Sequence, residues 1–296
     1  MKNIKWLFIA LIAATTMWSC SEDDLDSNSI FSGSTNTPQN NFDQWLLTNY
    51  TKPYNIDFKY RFEDKESDES YNLAPADYEK SILLAKMTKY LWIESYEELL
   101  GPDFIRTYCP KLMHLVGSPA YNSQGSIVLG TAEGGLKITL YNVNNIDLTK
   151  IDLEFLNYWY FKTMHHEFAH ILHQTKNYST DFNLISASNY QSSSWVNVTE
   201  QEALDMGFVS PYASSETRED FVEIIAIYVT NTAEYWDALV GQASEEGQGL
   251  INQKLALVKD YMLTTWGIDL DALRNIVQRR SQEVLLWDIN DLVTLN

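Results

Sequence analysis

The sequence predicts an α+β fold, with a small mixed sheet and one long helix in an N-terminal lobe and a mainly helical C-terminal lobe. Three observations predict it. Short strand-like segments fall between residues 112 and 143 and are bounded by Gly and Pro. Residues 152–175 then run without a Pro or Gly. From Thr199 onward apolar residues recur at helical spacing nearly to the last residue.

Taken in order, residues 1–20 are expected to form a lipoprotein signal peptide. Lys2 and Lys5 begin it, and the apolar run of residues 7–14 is too short to span a bilayer. The run ends at Met17-Trp18-Ser19-Cys20, which resembles the lipobox of bacterial lipoproteins and makes Cys20 the expected lipidation site. Met17 and Trp18 stand where many lipoboxes have Leu and a small residue. Residues 21–42 are rich in Ser, Asn, Thr and Asp and read as a flexible tether. Residues 43–296 form the folded body, with the sheet and central helix in about 43–175 and the helical lobe in about 199–296.

Within the body, residues 55–62 are extended and 63–70 form a charged loop. Residues 76–100 form a helix that Pro102 ends. Residues 112–116, 126–130 and 136–143 are strands. In the last, Leu136, Ile138 and Leu140 alternate with Lys137, Thr139 and Tyr141, the mark of a half-buried strand. Gly134-Gly135 makes residues 126–143 a hairpin. After the helix at 152–175 and a polar loop at 176–198, helices are expected at 199–206, 216–231, 232–242, 249–266 and 269–285.

The chain has 40 Asp and Glu against 21 Lys and Arg, a net charge of −19. That repels phosphate backbones and anionic lipid, so nucleic acid is excluded as a partner, and membrane contact is expected only through the anchor at Cys20. Two cysteines, Cys20 and Cys109, exclude a disulfide framework, and Cys109 reads as a buried, inert thiol.

Four of the five histidines fall at His165, His166, His170 and His173. His166-Glu167-Phe168-Ala169-His170 is an HExxH motif. On a helix its two histidines share a face and can converge on one Zn²⁺. Glu167, turned roughly 100° from His166, flanks the metal and can act as general base towards water. The opposite face carries Phe161, Met164, Phe168, Ile171 and Leu172 and should pack the core. His165 points away from the metal and reads as structural.

A catalytic zinc needs a third protein ligand. His173 is too far along the helix from His166 and is expected beside the ligands or facing substrate. Residues 218–230 form a second helix with Glu219, Asp220 and Glu223 on its first turns. Glu223, surrounded by apolar residues, is the expected ligand, because a buried carboxylate needs a partner. Asp220 is expected to accept the free ring N–H of a ligating histidine. Tyr212, on the loop entering this helix, is placed to stabilise an oxyanion.

These residues bring a family into view. The chain is similar to the zinc-binding metallopeptidase lipoproteins of Bacteroidota, described as substrate-import-associated zinc metallohydrolases. The similarity rests on Cys20 with Ser21-Glu22-Asp23-Asp24, on Gly130-Thr131-Ala132-Glu133-Gly134-Gly135, on His166 to His170, and on Phe208 to Tyr212 with Glu219-Asp220-Phe221-Val222-Glu223. It covers nearly the whole chain. The resemblance implies a zincin-like fold of the gluzincin type, in which the Glu of a Phe-Ala-Glu stretch binds zinc. Here that Glu is Glu223, with Val222 in place of the Ala. It also implies an outer-membrane, cell-surface location, which the acidic residues after Cys20 support, and partnership with a TonB-dependent importer and its surface lipoprotein. In a zincin the strand before the motif helix pairs with substrate backbone, which here points to residues 136–143.

The leading expectation is a zinc metallopeptidase acting on extracellular peptide or glycoprotein. Two alternatives stand beside it: a zinc hydrolase of another amide or ester, and a non-catalytic capture lipoprotein of an import complex. Glu167 favours an enzyme, because a structural metal site has no use for it.

Overall fold

A computed structural model of the chain describes residues 40–67, 70–121, 127–128, 130–133 and 136–295. The expected signal peptide, Cys20 and nearly all of the expected tether lie outside them. The body begins slightly earlier than expected: a helix spans Asn41–Leu46, and Phe42 is fully buried.

Six strands are described: β1 (Asp57–Lys59), β2 (Leu112–Leu115), β3 (Ala120–Tyr121), β4 (Ile127–Val128), β5 (Gly130–Glu133) and β6 (Lys137–Leu140). Four form one mixed sheet in the order β1-β2-β6-β5. β1, β2 and β6 are parallel, with Met113 opposite both Phe58 and Ile138. β5 runs antiparallel to β6, Thr131 opposite Thr139, so a hairpin forms as expected, but its first arm is residues 130–133 and not the expected 126–130. β3 and β4 pair separately.

Two expectations about β6 are corrected here. It is not half-buried: all four of its residues are buried, as befits a strand paired on both sides and covered on both faces. Lys137 is accommodated because its ammonium donates to the Glu66 carbonyl, 2.7 Å away, and lies 3.7 Å from the Glu66 carboxylate. Nor is β6 the edge of the sheet. Among the described residues the edges of this sheet are β1 and β5, and β5 lies against the motif helix.

Helix α1 (Tyr78–Met87) is capped by Asp77, whose carboxylate accepts from Lys80 N at 3.0 Å. It continues through a wider π turn (Thr88–Ile93) into Glu94–Leu100. Gly101, at φ 83°, then reverses the chain, and Pro102 opens a further helix, Pro102–Tyr108. The expected long helix is likewise composite: Leu153–Leu156, a π turn at Asn157–Phe161, and α2 (Lys162–Thr175) carrying the motif. The expected polar loop holds short helical turns at Phe182–Ile185 and Ser192–Asn197. The remaining larger helices are α3 (Thr217–Thr230), α4 (Ala233–Gly241), α5 (Glu245–Trp266) and α6 (Leu270–Val284). α3 packs against α2, α5 and α6, and every residue from Asp220 to Thr230 is buried. It is therefore a core helix, buried all round and not a surface amphipathic one, with Asp220 and Glu223 buried among its apolar residues.

Among the described residues the main hydrophobic core draws on segments from Phe42 to Leu292, and Val116, Ala120 and Tyr141 form a second, small cluster. Phe161, Met164, Phe168, Ile171 and Leu172 all enter the main core. Phe168 sets its ring edge-on to Trp92 (5.5 Å) and Tyr96 (5.0 Å), which pins the back of α2. His165 belongs to the same layer, buried and hydrogen-bonded through Nδ1 to the Tyr96 hydroxyl at 2.9 Å. Among the described residues no helix is long and apolar enough to cross a membrane.

Candidate metal centre

With its rear face fixed, α2 presents His166 and His170 on the other side, their rings 4.9 Å apart. α3 crosses this face in the opposite direction. Glu219 Oε2 lies 3.0 Å from His166 Nε2 and 3.3 Å from His170 Nε2. One turn further along α3, Glu223 meets His166 again and also Lys162, one turn earlier on α2. Two pairs of residues four apart, one of histidines and one of carboxylates, thus face each other across two helices. A ligand atom from each of His166, His170 and Glu219 lies within 4.8 Å of the others, the group able to hold a metal among the described residues.

The third member is Glu219, not the expected Glu223. Glu223 is as buried as the sequence suggested (2% exposed), but its needs are met otherwise. Oε1 accepts from His166 Nδ1 (2.9 Å), and Oε2 accepts from Ser210 Oγ (2.7 Å) and pairs with Lys162 Nζ (2.9 Å). Burial raises the Glu223 carboxyl, but Lys162 and the His166 hydrogen bond outweigh it and hold it far below the usual carboxylate range. Glu219 sits in the first turn of α3, where the helix N-terminus favours a carboxylate. Burial opposes its charge too, and the hydrogen bonds from His166 and His170 prevail, so its carboxyl is also held low.

Asp220 is corrected as well. It faces away from the histidines, fully buried, with Oδ2 2.6 Å from Lys254 Nζ and accepting from the Tyr190 hydroxyl at 2.7 Å. Lys254, itself fully buried, also donates to the Gly207 carbonyl (2.8 Å) and lies over the Phe208 ring. One residue of offset on a helix is roughly 100° of rotation, which separates Asp220 from the face that Glu219 and Glu223 share.

His173 lies beside His170, its Nε2 hydrogen-bonded to His170 Nδ1 at 2.9 Å. Burial, with the His170 and Arg218 charges, pushes it down to about 4, so it is neutral and has a ring nitrogen free to accept. Each imidazole therefore has Nδ1 held by a neighbour and Nε2 turned towards Glu219. A metal replacing the proton on each Nε2 would leave the Nδ1 atoms directed at these same neighbours, which orient the rings. Two imidazole nitrogens and one carboxylate oxygen converging in this way are a donor set that fits zinc.

Burial raises the Glu167 carboxyl, with His166 and His170 acting against it, so Glu167 is a stronger base than a surface carboxylate. Tyr212 stands with its ring 5.9 Å from that of His166 and packs edge-on to Trp195. Burial and then the Glu219 charge keep its hydroxyl protonated well beyond the usual phenol range. The sequence alone assigns no role to Lys162, Ser210 or Glu219. For Glu219 the signal was its spacing of four from Glu223.

The family described as "Putative zinc-binding metallo-peptidase" matches residues 35–271. A crystal structure described as a putative zinc-binding metallo-peptidase from Bacteroides caccae ATCC 43185 is similar, with 47% sequence identity and a TM-score of 0.75 over 86% of this chain and 96% of that chain. No curated protein matches.

Proposed function

From the premise that the chain belongs to this family of zinc-binding metallo-peptidases, we propose that it is a zinc metallopeptidase in which His166, His170 and Glu219 hold the metal and Glu167 is the general base. The observation that carries the reading is Glu219 Oε2 set between the Nε2 atoms of His166 and His170, at 3.0 and 3.3 Å. Zn²⁺ bound there supplies Lewis acidity towards a peptide carbonyl and the attacking water.

The chain's own residues do the rest. Glu223 and His173 hold the two imidazole rings through Nδ1. Glu167 takes a proton from water as its oxygen bonds to the peptide carbon, and returns it to the departing amine nitrogen as the C–N bond breaks. Tyr212, a protonated hydroxyl beside Glu219, donates a hydrogen bond to the developing oxyanion. β5, a sheet edge among the described residues and beside α2, offers its outer backbone to an extended peptide, a role that passes to it from β6. We further propose that Cys20 anchors the protein at the cell surface; Lys2, Lys5, the apolar run before Cys20 and the acidic residues after it support this.

The test is a Glu167→Gln chain loaded with zinc and offered a mixed peptide library. Retained zinc with turnover reduced by roughly 10²–10⁴-fold is the expected result. Wild type that holds zinc but cuts nothing in the library removes the peptidase reading and leaves a capture protein.

A further inference from the structure

A cleft of about 640 Å³ opens beside the candidate metal centre, and we propose that it receives the side chain of a lysine or arginine of the substrate, close to the bond that is cut. This rests on the peptidase reading above. Asn157, Tyr158 and Lys162 line one wall, at the start of α2 and the turns before it, and Ile227, Thr230 and Asn231 line another, at the end of α3.

Three links join the cleft to the metal centre. Lys162 lies one helical turn before His166, roughly 6 Å of rise. Pro211 lines the cleft, and its neighbour Tyr212 stands against the His166 ring. Ser210 lines it too, and donates to the Glu223 carboxylate that accepts from His166.

The chemistry of the walls selects the occupant. The floor is apolar, with Leu204, Val209 and Ile227 buried. At the rim stand two half-exposed rings, Tyr158 (53% exposed) and Tyr235 (50% exposed). Glu154 and Glu200 are exposed carboxylates on the lining, and neither is paired with a cation among the described residues. Asn157, Asn231 and Gln278 use their amide N–H groups on the backbone carbonyls of Thr230, Ile227 and Val229, which leaves their amide oxygens as acceptors. The lining cation, Lys162, is committed to Glu223 at 2.9 Å.

An apolar floor with an acidic, acceptor-rich and aromatic rim matches a side chain made of a methylene stem and a cationic head. The stem lies on the floor, and the head meets carboxylates, amide oxygens and tyrosine faces. Clustered negative charge over low-dielectric walls concentrates cations, and the net charge of −19 acts in the same direction.

The test is ligand-observed NMR on the metal-free full-length chain, with four probes: the N-acetyl amides of lysine, arginine and norleucine, and N-acetylglucosamine. The lysine and arginine amides should bind at least about tenfold more tightly than norleucine amide, weaken with added salt, and lose that advantage in Glu154→Gln/Glu200→Gln. Equal binding of lysine and norleucine amides, binding of N-acetylglucosamine alone, unchanged binding to the double variant, or no binding of any probe would each overturn the proposal. Because no metal is present, the outcome is independent of cleavage. A chain that binds the cationic probes and cuts no peptide keeps the cleft and loses the peptidase reading. One that cuts peptides but ignores the cationic probes does the reverse.

Discussion

The two sides of α3 each bury carboxylates, and they do so in opposite ways. On one side Asp220 is closed off with Lys254 and Tyr190, both Asp220 and Lys254 at 0% exposure. On the other, Glu219 meets two imidazole nitrogens and stays partly accessible, at 16% side-chain exposure. The first arrangement is a closed pair that ties α3 to α5. The second is a set of donors that a metal can enter by displacing protons. Glu223 stands between these cases: closed off by Lys162 and Ser210, yet holding His166 in place. Burial of an acid therefore does not identify a metal ligand. What sets Glu219 apart is that one of its oxygens faces the Nε2 atoms of both His166 and His170, whereas Glu223 faces only His166, at Nδ1.

The largest effect expected from this contrast is on stability. Lys254→Met leaves Asp220 buried without its cation, and removing one partner of a buried pair costs roughly 3–5 kcal/mol. Chemical denaturation should register that loss, while the zinc content of the folded fraction stays at the wild-type level. Loss of zinc with stability intact would mean that the Asp220 side of α3 belongs to the metal centre after all. A smaller effect is expected from Glu223→Gln, which keeps the shape but weakens the acceptor on His166 Nδ1. Zinc affinity measured by chelator competition should fall by about 10–100-fold, with the metal still bound at saturation. His173→Ala should lie at or below the low end of that range, since His170 keeps its place on α2 and loses only a neutral acceptor. An effect of His173→Ala larger than that of Glu223→Gln would reverse this ranking.

Much of the site was legible because it is local. The spacing of His166 and His170, the position of Glu167 between them and the apolar back of α2 are all set within one helix, and helical periodicity reports them. What escaped depends on how distant segments meet. Glu219 and Glu223 are both acidic and both early in α3. Only the antiparallel crossing of α2, roughly fifty residues away in sequence, decides which one faces the Nε2 atoms. The register of four between Glu219 and Glu223, matching that of the histidines, was the available clue.

The sheet divides in the same way. That a hairpin precedes the motif helix follows from local turn residues, but which segment forms its first arm does not: residues 130–133 pair with β6, while residues 127–128 pair with β3. The interior position of β6 depends on β2, a parallel partner supplied by an earlier segment, and the burial of Lys137 depends on Glu66. Pro102 marks a stop in the sequence and is also a start in the structure, since proline suits the first turn of a helix.

The measurement that tests the central claim most directly is the zinc content of wild type, Glu219→Ala and Glu223→Ala, each dialysed against a limiting concentration of free zinc and analysed for bound metal. About one zinc per chain in wild type, its loss in Glu219→Ala and its retention at higher free zinc in Glu223→Ala are the predicted results. Zinc retained by Glu219→Ala and lost at every concentration from Glu223→Ala would contradict the assignment and return the third ligand to Glu223.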